Sequence, residues 1–440
     1  MNTFEITIQP KSGDRWPIVA DHSRPGEQLS RSEGTLVMTP EDVQQLRDFQ
    51  ARPQDYGKVL GEALFQGQIR DRFVSALRES QESLRILLFI EAVDRELKFW
   101  RWERLCAPID NNWQLLALEQ RSPFSFYIPA ITDRRFPPIG RRDLKALVFV
   151  ASPSDSQRYN LAKFDVAATV DSVRTALGNI PTDVLATVEG AIAPPTLEAL
   201  CSQLTDRTKQ YTILHFVCHG KLMDDGETLL YWEKTDHTVE SVTATRLLER
   251  LAPLRGARGL SHFAFLCACE SASPETEGSL GGLAQRLVRN LGMPAVVAMT
   301  DKITIKTAQV LTENFYRQLK ASGEVDIALH EATASLAERG DITVPALFSR
   351  LGARPLFSDQ LDRELTNSEI KYGLERLAKL LSERAPVLSY PFEEQAQKLR
   401  NIIGTDVAAL SKQARKERKD ALTEVNNLCD RPILNISFMR

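Results

Sequence analysis

Two apolar runs decide how this chain folds: Tyr211-Thr-Ile-Leu-His-Phe-Val-Cys-His219-Gly220 and Phe263-Ala-Phe-Leu-Cys-Ala-Cys269-Glu-Ser271. Short apolar runs that end at turn residues are typical of buried strands in a parallel sheet. Open α/β sheets place their chemistry just beyond the carboxyl ends of such strands. His219 ends the first run and Cys269 ends the second, so the sequence predicts an imidazole and a thiol at one edge of a sheet.

Segments on both sides of these runs alternate between apolar strands and amphipathic helices. The predicted strands are 144–151, 184–188, 229–232, 295–299 and 344–348. The predicted helices are 166–177, 197–204, 243–251, 280–291, 304–321 and 325–338. This alternation predicts an α/β fold, with a mainly parallel sheet that is covered by helices on both faces.

Composition divides the chain into three predicted parts. A stretch rich in proline, glycine and charge, 132–143, marks the first boundary. Before it, residues 1–138 form an N-terminal β/α extension that is expected to pack on the core, 139–357. The alternation of Phe4, Ile6 and Ile8 predicts an edge strand at the start of this extension. After the core, residues 358–440 are predicted to be entirely helical, as a regulatory or adaptor segment.

The overall composition excludes several classes of function. A net charge of -3 over 440 residues gives no general attraction to nucleic acid or anionic membranes. No apolar run approaches the roughly 20 residues that span a bilayer, and the first residues lack a signal-peptide pattern, so a cytoplasmic location is expected. Six scattered cysteines are expected to be thiols. No metal-ligand spacing, P-loop or dinucleotide fingerprint occurs, so neither a metal nor a cofactor is predicted.

The two strand ends carry the residue types that thiol catalysis needs. A cysteine attacks as a thiolate, and its free pKa of roughly 8.5 must be offset by a nearby base or positive charge. His219 can accept the proton of Cys269 and later protonate the leaving amine. The backbone N–H groups of Gly220 and Cys269 are candidates for an oxyanion hole.

Neighbouring residues leave an inert alternative open. His215 shares strand parity with His219, and Cys267 shares it with Cys269, but both lie deeper in their strands. Cys218 is expected on the opposite face. Since buried strand cysteines are often unreactive, spacing alone leaves a dyad and a purely structural role equally open.

Three segments of the sequence resemble the CHAT family, whose members are caspase-like cysteine peptidases of the caspase–separase superfamily. They are Leu214–Gly220, Leu266–Ser271 and Ser279–Met299, and the resemblance covers about residues 56–357. It implies a caspase-like fold, with His219 as the catalytic histidine, Cys269 as the nucleophile and Gly220 as an oxyanion donor. Cys267 departs from the small polar residue that is common in the family.

The resemblance also implies a biological role. We expect a cysteine endopeptidase that cleaves a partner protein, such as a pore-forming or other effector protein, in bacterial antiphage defence or programmed cell death. A regulatory partner would bind the helical C-terminal segment, with no nucleic acid at the active site and no membrane. The alternative is a non-catalytic caspase-like scaffold that recruits partners through this segment.

Specificity is expected to depend on residues around the two strand ends. Asp301 is a candidate S1 residue for a basic P1 side chain, or else a turn or helix-cap residue. The loops 221–228 and 270–279 flank the predicted site, and self-processing within them is a hypothesis that the resemblance suggests.

Overall fold

A computed structural model of the chain describes most of the sequence. The described residues are 2–80, 83–91, 97, 99–119, 121–129, 139–206, 208–223, 227–254, 261–268, 281–301, 303–336, 342–359, 367–384, 389–403 and eight positions between 413 and 425. They divide into two compact units, with one boundary after Ser358. The first unit holds the sheet, and the second holds the C-terminal helices.

The first unit is built on one sheet of 13 described strands. The strands of the N-terminal part are β1 (Asn2–Ile8), β2 (Trp16–Ser23), β3 (Ser30–Leu36), β4 (Leu84–Ile90), β5 (Cys106–Ile109), β6 (Asn112–Leu115) and β7 (Phe124–Tyr127). Those that follow are β8 (Ile139–Gly140), β9 (Ala146–Val150), β10 (Thr182–Ala186), β11 (Ile213–Leu222), β12 (Thr228–Glu233), β13 (Val239–Thr243), β14 (Phe263–Ala268), β15 (Ala295–Met299), β16 (Pro345–Ser349) and β17 (Phe357–Ser358). Two small pairs, β5 with β6 and β8 with β17, lie outside the main sheet.

Strand order shows how the predicted core and the N-terminal part are joined. The order is β10-β9-β11-β14-β15-β16-β7-β4-β1-β2-β3, and β12 and β13 extend from β11 as an antiparallel ribbon. Strands β10 to β15 of this path are mutually parallel, as predicted. Strand β16 is antiparallel to β15 and parallel to β7, so the N-terminal part continues the same sheet edge to edge.

Strand β1 is not an edge strand, and that prediction is wrong. It pairs in parallel with β4 on one side and antiparallel with β2 on the other. Phe4, Ile6 and Ile8 alternate inward as expected, and all three are fully buried. Strand β2 covers one side of β1, and β3 pairs with the far side of β2. Neither β2 nor β3 was predicted, because both include polar residues.

Eleven described α-helices pack around the sheet or form the second unit. They are α1 (Pro40–Asp48), α2 (Pro53–Leu64), α3 (Gly67–Glu79), α4 (Val166–Leu177), α5 (Leu197–Thr205), α6 (Ala244–Leu251), α7 (Gly281–Arg286), α8 (Ile305–Ser322), α9 (Val325–Ala334), α10 (Asn367–Arg384) and α11 (Ser389–Ile403). Short 3₁₀ turns lie at Trp102–Arg104, Arg141–Asp143, Ser156–Tyr159 and Ala252–Leu254, and one π-helical turn, Leu287–Leu291, follows α7. Thr196 caps α5 as predicted, because its hydroxyl accepts the N–H of Ala199 at 3.1 Å.

The parallel strands bury both of their faces, which explains their continuous apolar sequences. One face packs against α4, α8 and α9, and its core includes Ile213, Val217 and Cys267. The opposite face packs against α5, α6 and α7, and its core includes Phe216 and Cys218. Cys218 therefore lies on the opposite face from Val217, which shares strand parity with His219, as predicted for Cys218.

The second unit has its own small core. Ile370, Leu374, Leu377 and Leu381 form the predicted apolar stripe of α10, and all four are buried against α11 and nearby described positions. Among the described residues, no helix is both long enough and apolar enough to cross a bilayer.

Candidate active site

His219 lies where β11 changes its partners. Up to Cys218 the strand is paired in parallel with β14, and from His219 onward it is paired antiparallel with β12. The strand itself continues to Leu222, so His219 marks the end of the parallel sheet and not the end of the strand. The loop predicted from residue 221 therefore begins later, and residues 224–226 of it lie outside the described part of the chain.

A backbone hydrogen bond fixes the orientation and tautomer of the His219 ring. Its Nε2 lies 2.7 Å from the carbonyl oxygen of Ala162, and the edge of Phe164 packs against the ring at 5.5 Å between centroids. A carbonyl oxygen only accepts, so Nε2 must carry the proton. In the neutral ring, Nδ1 is then the unprotonated nitrogen, and an unprotonated nitrogen is what a general base requires. The side chain is buried, with 1% of the residue exposed.

The segment that supplies the Ala162 carbonyl is itself well anchored. A 3₁₀ turn at Ser156–Tyr159 is closed by Asn160 in the left-handed conformation, with φ of 56°. Leu161 then donates its N–H to the Ser156 carbonyl at 3.1 Å and buries its side chain against Tyr231 and Val239. Tyr231 is the residue opposite His219 in the β11–β12 ladder, so the ribbon holds both partners of the hydrogen bond.

Strand β14 ends one residue before the second predicted residue, Cys269, in the chain. Ala268, its last residue, pairs with Cys218, the residue before His219. Cys269 follows Ala268 directly in the chain, but Cys269 and the loop 270–279 lie outside the described residues. Cys267 lies two positions earlier and is buried, with 3% of the residue exposed.

His215 is a core residue, as predicted. Its Nδ1 lies 3.0 Å from the Tyr316 hydroxyl, and its ring stacks on Phe265 at 5.0 Å. Burial lowers the pKa of His215 to about 3, so the ring is neutral at physiological pH. His215, four residues before His219 in the same strand, therefore contributes packing and not proton transfer.

Asp301 follows β15 at the edge of the sheet where β11 and β14 also end their parallel pairing. Its carboxylate is 43% exposed and lies 2.7 Å from a guanidinium nitrogen of Arg101 and 4.0 Å from one of Arg104. It is not the cap of α8, since Thr304 fills that position and accepts the N–H of Thr307 at 3.1 Å. Any basic P1 side chain at Asp301 would therefore compete with Arg101.

An ion pair connects the residue before β12 to α7. Glu227, just before β12, lies 2.8 Å from Arg286 of α7, and both contact the hydroxyl of Thr245 in α6. Burial acts to raise the pKa of Glu227, but the Thr245 hydrogen bonds and the Arg286 charge hold it below its ordinary value. Glu227, Thr245 and Arg286 thus connect the start of β12 to α6 and α7.

Gly220 is the predicted oxyanion donor that the structure describes. Gly220 pairs with Leu230 in the ribbon and is partly buried. Its role as an oxyanion donor stays a prediction.

Within the described ranges, His, Cys, Asp and Glu do not gather in groups of three or more that would suit a metal ion.

Comparison with models of known protein families shows which family this chain belongs to. The family model for the CHAT domain matches residues 54–363, which is most of the chain. The chain belongs to the CHAT-domain family. The CHAT domain is related to caspase-like cysteine peptidases, and the mainly parallel sheet flanked by helices agrees with a caspase-like fold. A search of curated proteins finds no match.

The CHAT match begins within α2 and ends shortly after β17, so it includes β4 and β7 of the N-terminal part but not β1, β2 or β3. It therefore contains both His219 and Cys269, together with the Ala162 carbonyl. Sequence reasoning missed Ala162, because any residue type can present a backbone carbonyl. The buried Glu233, which closes the apolar run 229–232, was visible as a charged residue at a strand end and was also missed.

Proposed function

We propose that this CHAT domain is a cysteine endopeptidase that uses a His219–Cys269 dyad. The observation that carries the proposal is the hydrogen bond from His219 Nε2 to the Ala162 carbonyl. It assigns the proton to Nε2 and leaves Nδ1 to act as the base. The pairing of Ala268 with Cys218 supports Cys269 as its partner, because each reactive residue directly follows one of these paired residues.

In the proposed reaction, Nδ1 of His219 takes the thiol proton of Cys269, and the thiolate attacks the scissile carbonyl carbon. The N–H groups of Gly220 and Cys269 stabilise the oxyanion of the tetrahedral intermediate. The intermediate collapses with cleavage of the C–N bond, and His219 protonates the departing amine. Water, deprotonated by His219, then hydrolyses the thioester and restores the thiol.

The substrate class that we propose is a partner protein in bacterial antiphage defence or programmed cell death. Membership of the CHAT family supports this role, and the helical second unit offers a surface for a regulatory partner. The competing hypothesis, a non-catalytic scaffold, has no need for the imidazole orientation that Ala162 imposes.

An active-site probe tests the enzyme hypothesis directly. A peptidyl acyloxymethyl ketone is expected to label Cys269 of the full chain, as mapped by peptide mass spectrometry. Labelling should disappear in Cys269→Ala and in His219→Ala, and it should persist in Cys218→Ala, whose side chain lies on the opposite face. Label on Cys267, or label that survives Cys269→Ala, would contradict the assignment.

The Arg101–Asp301 pair gives a prediction for specificity. Arg101→Gln is expected to accelerate labelling by probes with lysine or arginine at P1 by about tenfold, because it frees a charge-assisted contact at Asp301. Asp301→Asn in the same background should abolish the gain. Second-order labelling rates with matched neutral and basic probes measure this, and an equal change for both probes would remove Asp301 from the S1 pocket.

A further inference from the structure

A buried carboxylate lies beside the segment that orients His219. Glu233, at the end of β12, has a side chain that is only 2% exposed. It accepts the N–H of Ser152 at 3.1 Å and the hydroxyl of Thr187 at 2.6 Å, and it lies 3.2 Å from Nδ1 of His237. These partners follow β9, β10 and β12, so one carboxylate connects three strand ends.

The turn after Glu233 binds Ser154 and Asp155, which lie in segment 152–162, the segment that leads to Ala162. The carbonyl of His237 accepts both the N–H and the hydroxyl of Ser154, each at 2.9 Å. Oδ1 of Asp155 accepts the N–H of Val239 at 2.8 Å. The segment 152–162 is therefore tied to the β12–β13 ribbon at residues 152, 154 and 155, and Leu161 packs on the same ribbon.

The energetics of Glu233 argue against a role in stability alone. Removing a carboxylate from water costs free energy that its contacts in the protein only partly return. Well-packed apolar residues of similar volume can often replace a buried ion pair without loss of stability. What the carboxylate provides here is an acceptor for donors from separate elements, which fixes their relative positions.

We propose that Glu233 and Asp155 are positioning residues for the candidate active site: they fix segment 152–162 so that the Ala162 carbonyl holds Nε2 of His219. This inference rests on the proposed dyad. Neither side chain touches the reacting atoms, since both act through the backbone of the segment. Loss of either anchor leaves His219 free to rotate or to change tautomer, and this weakens its interaction with the thiolate of Cys269.

The test measures the pH dependence of Cys269 alkylation by iodoacetamide in the full chain, read by peptide mass spectrometry. In the unmodified protein, the midpoint is expected well below the roughly 8.5 of a free thiol. Glu233→Ala and Asp155→Ala should move it toward that value and slow alkylation at pH 6.5 by about 10- to 100-fold, because a rise of one to two units in the thiol pKa lowers the thiolate fraction by that factor. Asp155→Asn keeps the acceptor oxygen for Val239 and should behave like the unmodified protein.

Other cysteines and a distant anchor serve as controls. Cys106, Cys201, Cys218 and Cys267 are buried, and burial raises the pKa of Cys106 to about 12, so their alkylation should be slow. Asp183 accepts the Tyr211 hydroxyl at 2.7 Å at the opposite edge of the sheet. Asp183→Ala is expected to lower thermal stability and leave the Cys269 midpoint unchanged.

The outcomes separate the two hypotheses. A midpoint near 8.5 in the unmodified protein would overturn the dyad and the inference together. A depressed midpoint that Glu233→Ala and Asp155→Ala leave unchanged would overturn the positioning role alone. Lower thermal stability in these variants, with the midpoint still depressed, would show a merely structural role and would also overturn it.

Discussion

His219→Ala is expected to lower kcat/KM for peptide cleavage by about 10²–10⁴-fold, the range that a positioned general base contributes. In the proposed reaction, the variant lacks the Nδ1 lone pair that would accept the thiol proton, and it lacks the cation that would stabilise the thiolate. The hydrogen bond between His219 Nε2 and the Ala162 carbonyl lies within the protein, so its loss removes no contact with the substrate. The loss should therefore appear mainly in kcat and not in KM.

The measurement compares cleavage by the unmodified protein, His219→Ala and Cys218→Ala across pH 5–9. Cys218→Ala is the matched control, because it alters the adjacent position of the same strand while its side chain faces the opposite core. It should retain activity. A His219→Ala variant that cleaves as fast as Cys218→Ala would exclude His219 as the base.

The strands around this site could be predicted because they are buried on both faces. Short, continuous apolar runs such as 263–268 and 295–299 are typical of strands that are buried on both faces. The structure confirms both runs as β14 and β15. Strand alternation also placed Cys218 correctly on the face opposite the odd-numbered residues of its strand. These properties depend on local pattern, which the sequence displays directly.

The orientation of His219 could not be predicted in the same way. The hydrogen bond to Ala162 joins positions 57 residues apart, and its acceptor is a backbone atom that no residue type marks. Likewise, nothing in the local sequence of Asp301 shows that Arg101, 200 residues earlier, lies beside it. Both contacts follow from the order of strands in the sheet, which local periodicity does not determine.

The N-terminal strands show the same limit in another form. Strand β2 alternates buried and partly exposed positions, but it includes Asp21 and His22, and β3 is mainly polar. Such strands resemble loops in composition. Without β2 and β3, β1 looked like an edge strand. The pairing of β7 with β16, which continues the sheet, joins segments far apart in the chain and is not marked by either local sequence.

Arg85→Met is expected to destabilise the first unit by about 3–5 kcal/mol, the cost of removing one member of a buried ion cluster. Arg85 lies on β4, and its side chain is 4% exposed. Its guanidinium lies 2.7 Å from both Glu324 and Asp326, at the start of α9, and donates to the Ala353 carbonyl at 2.8 Å. It therefore ties the N-terminal strands to the core, and its loss leaves two carboxylates without their cation.

The pH dependence of this loss has a definite sign. Burial raises the pKa of Glu324 and that of Asp326, while the charge of Arg85 opposes the rise. Without Arg85 both folded-state pKa values rise further, so the stability of the variant is retained below the unfolded value of about 4 and lost as pH rises through the folded values. The difference in unfolding free energy between the unmodified protein and Arg85→Met should therefore be larger at pH 8 than at pH 5.

Denaturant unfolding at the two pH values measures this difference. Arg31→Ala is the matched control, since Arg31 pairs with Asp21 at 2.8 Å on the same sheet but is mostly exposed. An exposed pair contributes little, so this control should change stability slightly and with weak pH dependence. Adding Glu324→Gln and Asp326→Asn to Arg85→Met should restore much of the loss at pH 8, because the neutral amides no longer need a cation. An unchanged deficit in that triple variant would show that the packing of the Arg85 stem, and not its charge, holds β4 against α9.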